Sequence, residues 1–75
     1  MTKSVFTKQY SGLREILIEA RTAAGLSQAE LARLLDRPQS FVSKYERGER
    51  RLDVIEFLQV TTRLNIDPAK ILAKL

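Results

Sequence analysis

The chain has no cysteine and no histidine. No disulfide can staple it, no thiolate or imidazole can bind zinc, and catalysis through Cys or His is excluded. Long apolar runs are also missing. Stretches such as Ile16-Leu17-Ile18 are short, whereas a membrane-spanning helix needs ~20 apolar residues. The first ten residues lack the apolar segment of a signal peptide. No run alternates with a period of two, and there are no repeats or low-complexity tracts. What is present is 75 residues, 44% of them hydrophobic, which is ordinary for a folded chain. That length implies one domain, residues 1–75, near the lower limit for a core built without staples. Lys and Arg number 13 against 9 Asp and Glu, so the net charge of +4 favours an anionic partner without naming it. The expectation is a cytoplasmic protein with no membrane association, metal, cofactor or small-molecule ligand.

The periodicity is helical throughout. Residues 1–7 show none, and are expected to form a flexible arm, with Val5 and Phe6 as its apolar members. Over residues 8–24, Tyr10, Leu13, Leu17, Ala20 and Ala24 step by three and four along one stripe, while Ile18 points away from it. Gly25 ends this helix. Ser27 and Glu30 have the spacing of a capping box that opens a second helix to about Leu35, and Asp36-Arg37-Pro38 breaks it. A third helix is expected from about Pro38 to Arg47, with Val42 and Tyr45 inward and Gly48 as its stop. Asp53 and Glu56 form a second box. It opens a fourth helix that buries Val54, Phe57, Leu58, Thr61 and Leu64 and stops at Asn65. Asp67-Pro68 opens a fifth helix, ending with Ile71, Leu72 and Leu75. The fold class is all-α, with five short helices.

Residues 27–48 read SQAELARLLDRPQSFVSKYERG. A short capped helix, a tight turn and a second short helix ending in Glu-Arg-Gly has the form of a helix-turn-helix. Together with Val42 and Tyr45 at core spacing and the Asp-Pro start of the last helix, this resembles the Xre family of bacterial and phage regulators, which includes the lambda and Cro repressors. The resemblance extends over roughly residues 13–72. It implies a five-helix lambda repressor-like DNA-binding domain. The expected activity is sequence-specific regulation of transcription from double-stranded DNA, as a bacterial or phage-encoded, nucleoid-associated repressor rather than an enzyme.

The resemblance also assigns roles. The third helix would lie in the major groove with Gln39, Ser40, Ser43 and Lys44 reading bases; Gln pairs with adenine, Lys donates to guanine, and Ser serves either base. Gln28, at the amino end of the second helix, would contact the backbone, where free amides and the helix dipole suit a phosphate. Arg37, Arg47, Arg50 and Arg51 surround the third helix as phosphate ligands, and Phe41 would touch a thymine methyl or sugar. Between Arg33 and Arg51 there are six basic and three acidic residues, so most of the excess charge is local. Glu46 is expected to pair with Arg21, holding the third helix to the first and turning Arg21 towards DNA. Ile18 and Ile55 fall where the family is usually polar. With Leu72 and Leu75 they suggest a two-fold homodimer on a palindromic site.

The sequence departs from the family pattern at the turn, where Asp36 stands for Gly, Arg37 for an apolar residue and Pro38 for a side-chain cap. A protein-interaction adaptor on the same fold is the competing class, but Lys44 and the Arg cluster weigh against it. Antitoxins and restriction–modification controllers are alternatives within the DNA-binding class. Glu15 and Glu19 are the remaining candidates for acid–base chemistry. They lie one turn apart on a helix and read as a solvated face.

Overall fold

A computed structural model describes residues 7–75. Among them are five α-helices: α1 Lys8–Ala23, α2 Gln28–Leu35, α3 Gln39–Arg47, α4 Val54–Leu64 and α5 Pro68–Ala73. Residues 1–6, with Val5 and Phe6, lie outside the described part. Thr7, expected in the arm, caps α1 instead: its hydroxyl oxygen accepts from the Tyr10 amide at 3.1 Å.

Short polar side chains set the helix starts, because the first amides of any helix lack partners within it. Ser27 Oγ accepts from the Glu30 amide at 3.0 Å, and Glu30 Oε1 accepts from the Ser27 amide at 2.8 Å. Asp53 and Glu56 repeat the exchange at 2.7 and 3.0 Å. Pro38 caps α3 with no side-chain bond, so α3 begins at Gln39 rather than at Pro38. Asp36 and Asn65 end α2 and α4 in the left-handed region, with φ of 56° and 57°. The last helix stops at Ala73, leaving Leu75 beyond it and exposed.

The core lies where α1, α2, α3 and α4 meet. Leu17, Leu31, Val42, Tyr45, Val60 and Thr61 are almost fully buried, and Ile71 brings α5 against them. α1 touches α3, α4 and α5, while α2 packs on α3 and α4. Two residues expected in this core are outside it: Val54 is 72% exposed and Leu58 41%. Val54 is the first residue of α4, and its Cβ leans off the open end of the helix. The inward stripe is Phe57, Val60, Thr61 and Leu64, so Val60 replaces Leu58. The Tyr45 hydroxyl is buried with no hydrogen-bond partner among the described residues, and burial pushes this phenol above its ordinary range.

Gly48 ends α3 at φ +79°, and a Cβ there would lie 2.9 Å from the Arg14 guanidinium. Arg14 Nε donates to the Glu46 carbonyl at 3.2 Å, closing the end of α3 onto α1. Gly25 has a similar φ of +75° but open space around it. The left-handed conformation itself costs ~1–2 kcal/mol for a residue with a Cβ. Gly48→Ala is therefore expected to lower the melting temperature by ~4 °C or more, and by more than Gly25→Ala does. Thermal melts of the two variants followed by circular dichroism check this; equal losses would show that the Arg14 contact has no energetic weight.

Candidate nucleic-acid interface

The turn between α2 and α3 takes only three residues, 36–38, because Asp36 adopts the left-handed conformation. The Asp36 and Arg37 amides then donate to the Arg33 and Ala32 carbonyls at 3.1 and 2.9 Å, satisfying the end of α2. This fixes α3 against α2. Phe41, Val42, Tyr45 and Glu46 face inward and are buried. The opposite face carries Gln39, Ser40, Lys44 and Arg47, all exposed, and Ser43, half-buried. Ser43 Oγ donates back to the Ser40 carbonyl at 3.3 Å. The Gln39 and Lys44 side chains make no hydrogen bond among the described residues, so their donors are open to a ligand.

Glu46 is the inner anchor of α3. Arg21 Nε donates to Glu46 Oε2 at 2.7 Å and Arg21 Nη2 to Oε1 at 3.1 Å. Arg21 Nη1 donates to the Leu26 carbonyl at 2.8 Å, and Gln28 Nε2 donates to Glu46 Oε1 at 2.8 Å. One buried carboxylate thus ties the start of α2 and the end of α3 to the end of α1. Arg21 and Gln28 are committed to this network, and only their remaining N–H groups are available outward.

A second carboxylate gathers the other arginines. Glu56 is buried at 7% exposure, and Arg50 clamps it, Nη1 to Oε1 at 3.1 Å and Nη2 to Oε2 at 3.0 Å. Arg37 Nη2 lies 3.5 Å from the same Oε2. The Arg50 hydrogen bonds hold the Glu56 carboxyl below its ordinary range despite burial. Both guanidinium groups stand over the Phe41 ring, Arg37 at 4.6 Å and Arg50 at 4.9 Å from its centroid. Here the sequence expectation is corrected. Phe41 is only 7% exposed and packs edge-on to Tyr45, centroids 5.6 Å apart, so the outer surface at this point is guanidinium rather than phenyl. Arg47 pairs with Glu49 at 2.6 Å on the open surface. Arg51 stands 4.9 Å over the Tyr10 ring, whose hydroxyl accepts from the Leu52 amide at 2.9 Å.

Ile55, Leu72 and Leu75 are exposed, and Val54, Leu58 and Leu34 are exposed with them. An almost wholly apolar groove runs between α4 and α5, lined by Val54, Phe57, Leu58, Pro68 and Leu72. A second groove is lined by Leu34, Leu35, Ile55 and Leu58; Ile18 is half-buried on α1 and lines neither. Glu15 and Glu19 are both exposed on α1. Among the described residues no helix is long and apolar enough to cross a membrane.

The profile of the helix-turn-helix family matches residues 17–71. A solved Xre-family-like protein from Pseudomonas syringae pv. tomato is 55% identical, with a TM-score of 0.84 over 88% of this chain and 80% of that one. This chain belongs to the Xre helix-turn-helix family. The restriction–modification controller protein C.AhdI from Aeromonas hydrophila is 38% identical, with a TM-score of 0.74 over 81% of this chain and 92% of that one. No curated protein matches the chain. Membership makes the five helices a lambda repressor-like domain, and α2 and α3 its helix-turn-helix. The family is one of DNA-binding regulators, not of enzymes. Glu56 and Arg14 are the residues at this surface that sequence reasoning missed. Glu56 was legible only as a helix cap, and Arg14 carried no local signal.

Proposed function

We propose that this Xre-family chain is a repressor that binds a palindromic operator as a homodimer, with α3 in the major groove. The observation that carries the reading is the outward row of α3, whose Gln39 and Lys44 donors are unengaged and flanked by arginines at both ends. Gln39 suits adenine N6 and N7, Lys44 suits guanine O6 and N7, and Ser40 and Ser43 suit either. Arg47 and Arg51 reach phosphates from the end of α3, and Arg37 and Arg50 from the point where they meet over Phe41. Arg21 and Gln28 act mainly by holding Glu46, and offer a phosphate the N–H groups left over. The dimer contact is the exposed apolar face of Ile55, Leu72 and Leu75, extended by Val54 and Leu58. Burying it would relieve a surface that a chain of this size cannot hide alone. Two copies would then place their α3 helices ~34 Å apart on successive half-sites.

The similarity to C.AhdI favours one setting within this reading, control of a restriction–modification system. The adaptor alternative has no comparable support, because a protein-docking α3 has no need of the arginines around it.

Binding measured across salt concentrations on random and selected duplexes tests the proposal. Log K is expected to fall by ~0.9 per neutralised phosphate for each unit of log salt, and a selected site to bind ~10³-fold or more above random DNA. Sedimentation is expected to give a dimer at micromolar concentration. Failure to bind any duplex at low salt would sink the DNA reading, and a persistent monomer on a half-site would sink the palindrome.

A further inference from the structure

The Glu56 cluster is more than a pair of surface ion bridges. Its charges are layered. The carboxylate side chain is 8% exposed, while the Arg37 and Arg50 side chains above it are 40% and 37% exposed. Two cations therefore face outward over one buried anion, leaving a net positive outer surface. The two arginines come from opposite ends of α3, one in the turn before it and one in the loop after it. They meet over the ring of Phe41 and at one carboxylate oxygen, Glu56 Oε2. Arg50 uses one N–H of each terminal nitrogen on Glu56, so its Nε–H and two further N–H groups stay available, as does most of Arg37. Glu56 is itself fixed from behind, since its Oε1 also accepts from the Asp53 amide at 3.0 Å.

We infer that Glu56 is a positioning residue for DNA binding, setting Arg37 and Arg50 as a two-armed clamp for a single phosphodiester oxyanion beside α3. The ring below and the carboxylate behind hold both guanidinium planes before a ligand arrives. A phosphate then meets side chains that have little rotamer freedom left to lose. A shared phosphate also ties the depth of α3 in the groove to a point on its buried side. The inference rests on the DNA-binding reading above.

The test exploits a sign. Glu56→Gln removes a negative charge from beside the DNA, which by charge alone would tighten binding. It keeps an oxygen for the Asp53 amide but presents N–H groups to the two guanidinium groups. The clamp predicts weaker binding, by about tenfold, as two freed arginine side chains must be immobilised. It also predicts a salt slope shallower by ~0.9, the loss of one phosphate contact. A purely structural role for Glu56 would leave that slope unchanged. Glu15→Gln, with the same change of charge on the exposed face of α1, is expected to bind as tightly as the wild type or more tightly. Circular dichroism verifies that each variant is folded. Should Glu56→Gln not fold, the single and double variants Arg37→Gln and Arg50→Gln replace it. One shared phosphate limits the double variant to a slope loss of ~0.9, whereas two separate phosphates would give ~1.8. Wild-type binding together with undiminished Glu56→Gln binding, or slope losses that add in the double variant, would overturn the clamp alone. A wild-type chain that binds no duplex would overturn the DNA reading and the clamp with it.

Discussion

Glu46→Ala is expected to lower the melting temperature by ~12 °C or more. Glu46 accepts two hydrogen bonds from Arg21 and one from Gln28, and its side chain is 4% exposed against 13% for Arg21. Removing one member of a buried pair strands the other, at ~3–5 kcal/mol. A 75-residue domain has a total stability of only ~4–11 kcal/mol, and each kcal/mol moves its midpoint by ~4–8 °C. The loss does not come from the ion pair as such, because a packed apolar pair of similar volume could be equally stable. It comes from a guanidinium left facing the core and a Gln28 amide left without its acceptor. Glu46→Gln, which keeps one acceptor but turns N–H groups towards Arg21, is expected to lose less. Thermal melts of the two variants check the order. An unchanged midpoint in both would mean that the network does not hold α3 to α1.

The second large effect falls on recognition. On its preferred duplex, Lys44→Ala is expected to cost ~1–3 kcal/mol, or about 5- to 150-fold in affinity, and to relax the preference at one base pair. Gln39→Ala should relax a different position by a similar factor. Both residues are exposed and make no contact that stabilises the fold, so their melting temperatures should stay close to the wild type. Arg51→Ala serves as the contrast, since a phosphate ligand weakens all sequences alike and flattens the salt slope. Competition against a panel of single-base operator variants separates these outcomes. Uniform weakening by Lys44→Ala across the panel would remove it from base reading and place it with the phosphate ligands.

The positions of the helices were legible because their causes are local. Capping boxes, left-handed stops and Asp-Pro starts each involve residues within four of one another, so the boundaries of α2, α3 and α4 follow from short stretches of chain. The outward row of α3 follows from the same periodicity, once Val42 and Tyr45 are known to point inward. Thr7 belongs to α1 rather than to an arm, because its hydroxyl caps the helix, and a lone threonine in an aperiodic stretch gives little sign of that. Leu58 lies one turn beyond Val54 and looks inward on a helical wheel. In the fold that stripe faces solvent, and Val60 fills the core.

What the sequence by itself determined was an all-α chain with a helix-turn-helix whose exposed face is rich in hydrogen-bond donors and basic charge. Periodicity and capping are properties of neighbouring residues. The tertiary structure decided which of those charges act together. The loop after α3 returns along its inner side, bringing Arg50 to Arg37 and both to Glu56 over the buried ring of Phe41. No spacing in the chain encodes that meeting, because it depends on how α4 packs against α2 and α1. The same packing turned Phe41 from a surface contact into a support for two arginines, and left an apolar face on α4 and α5 exposed.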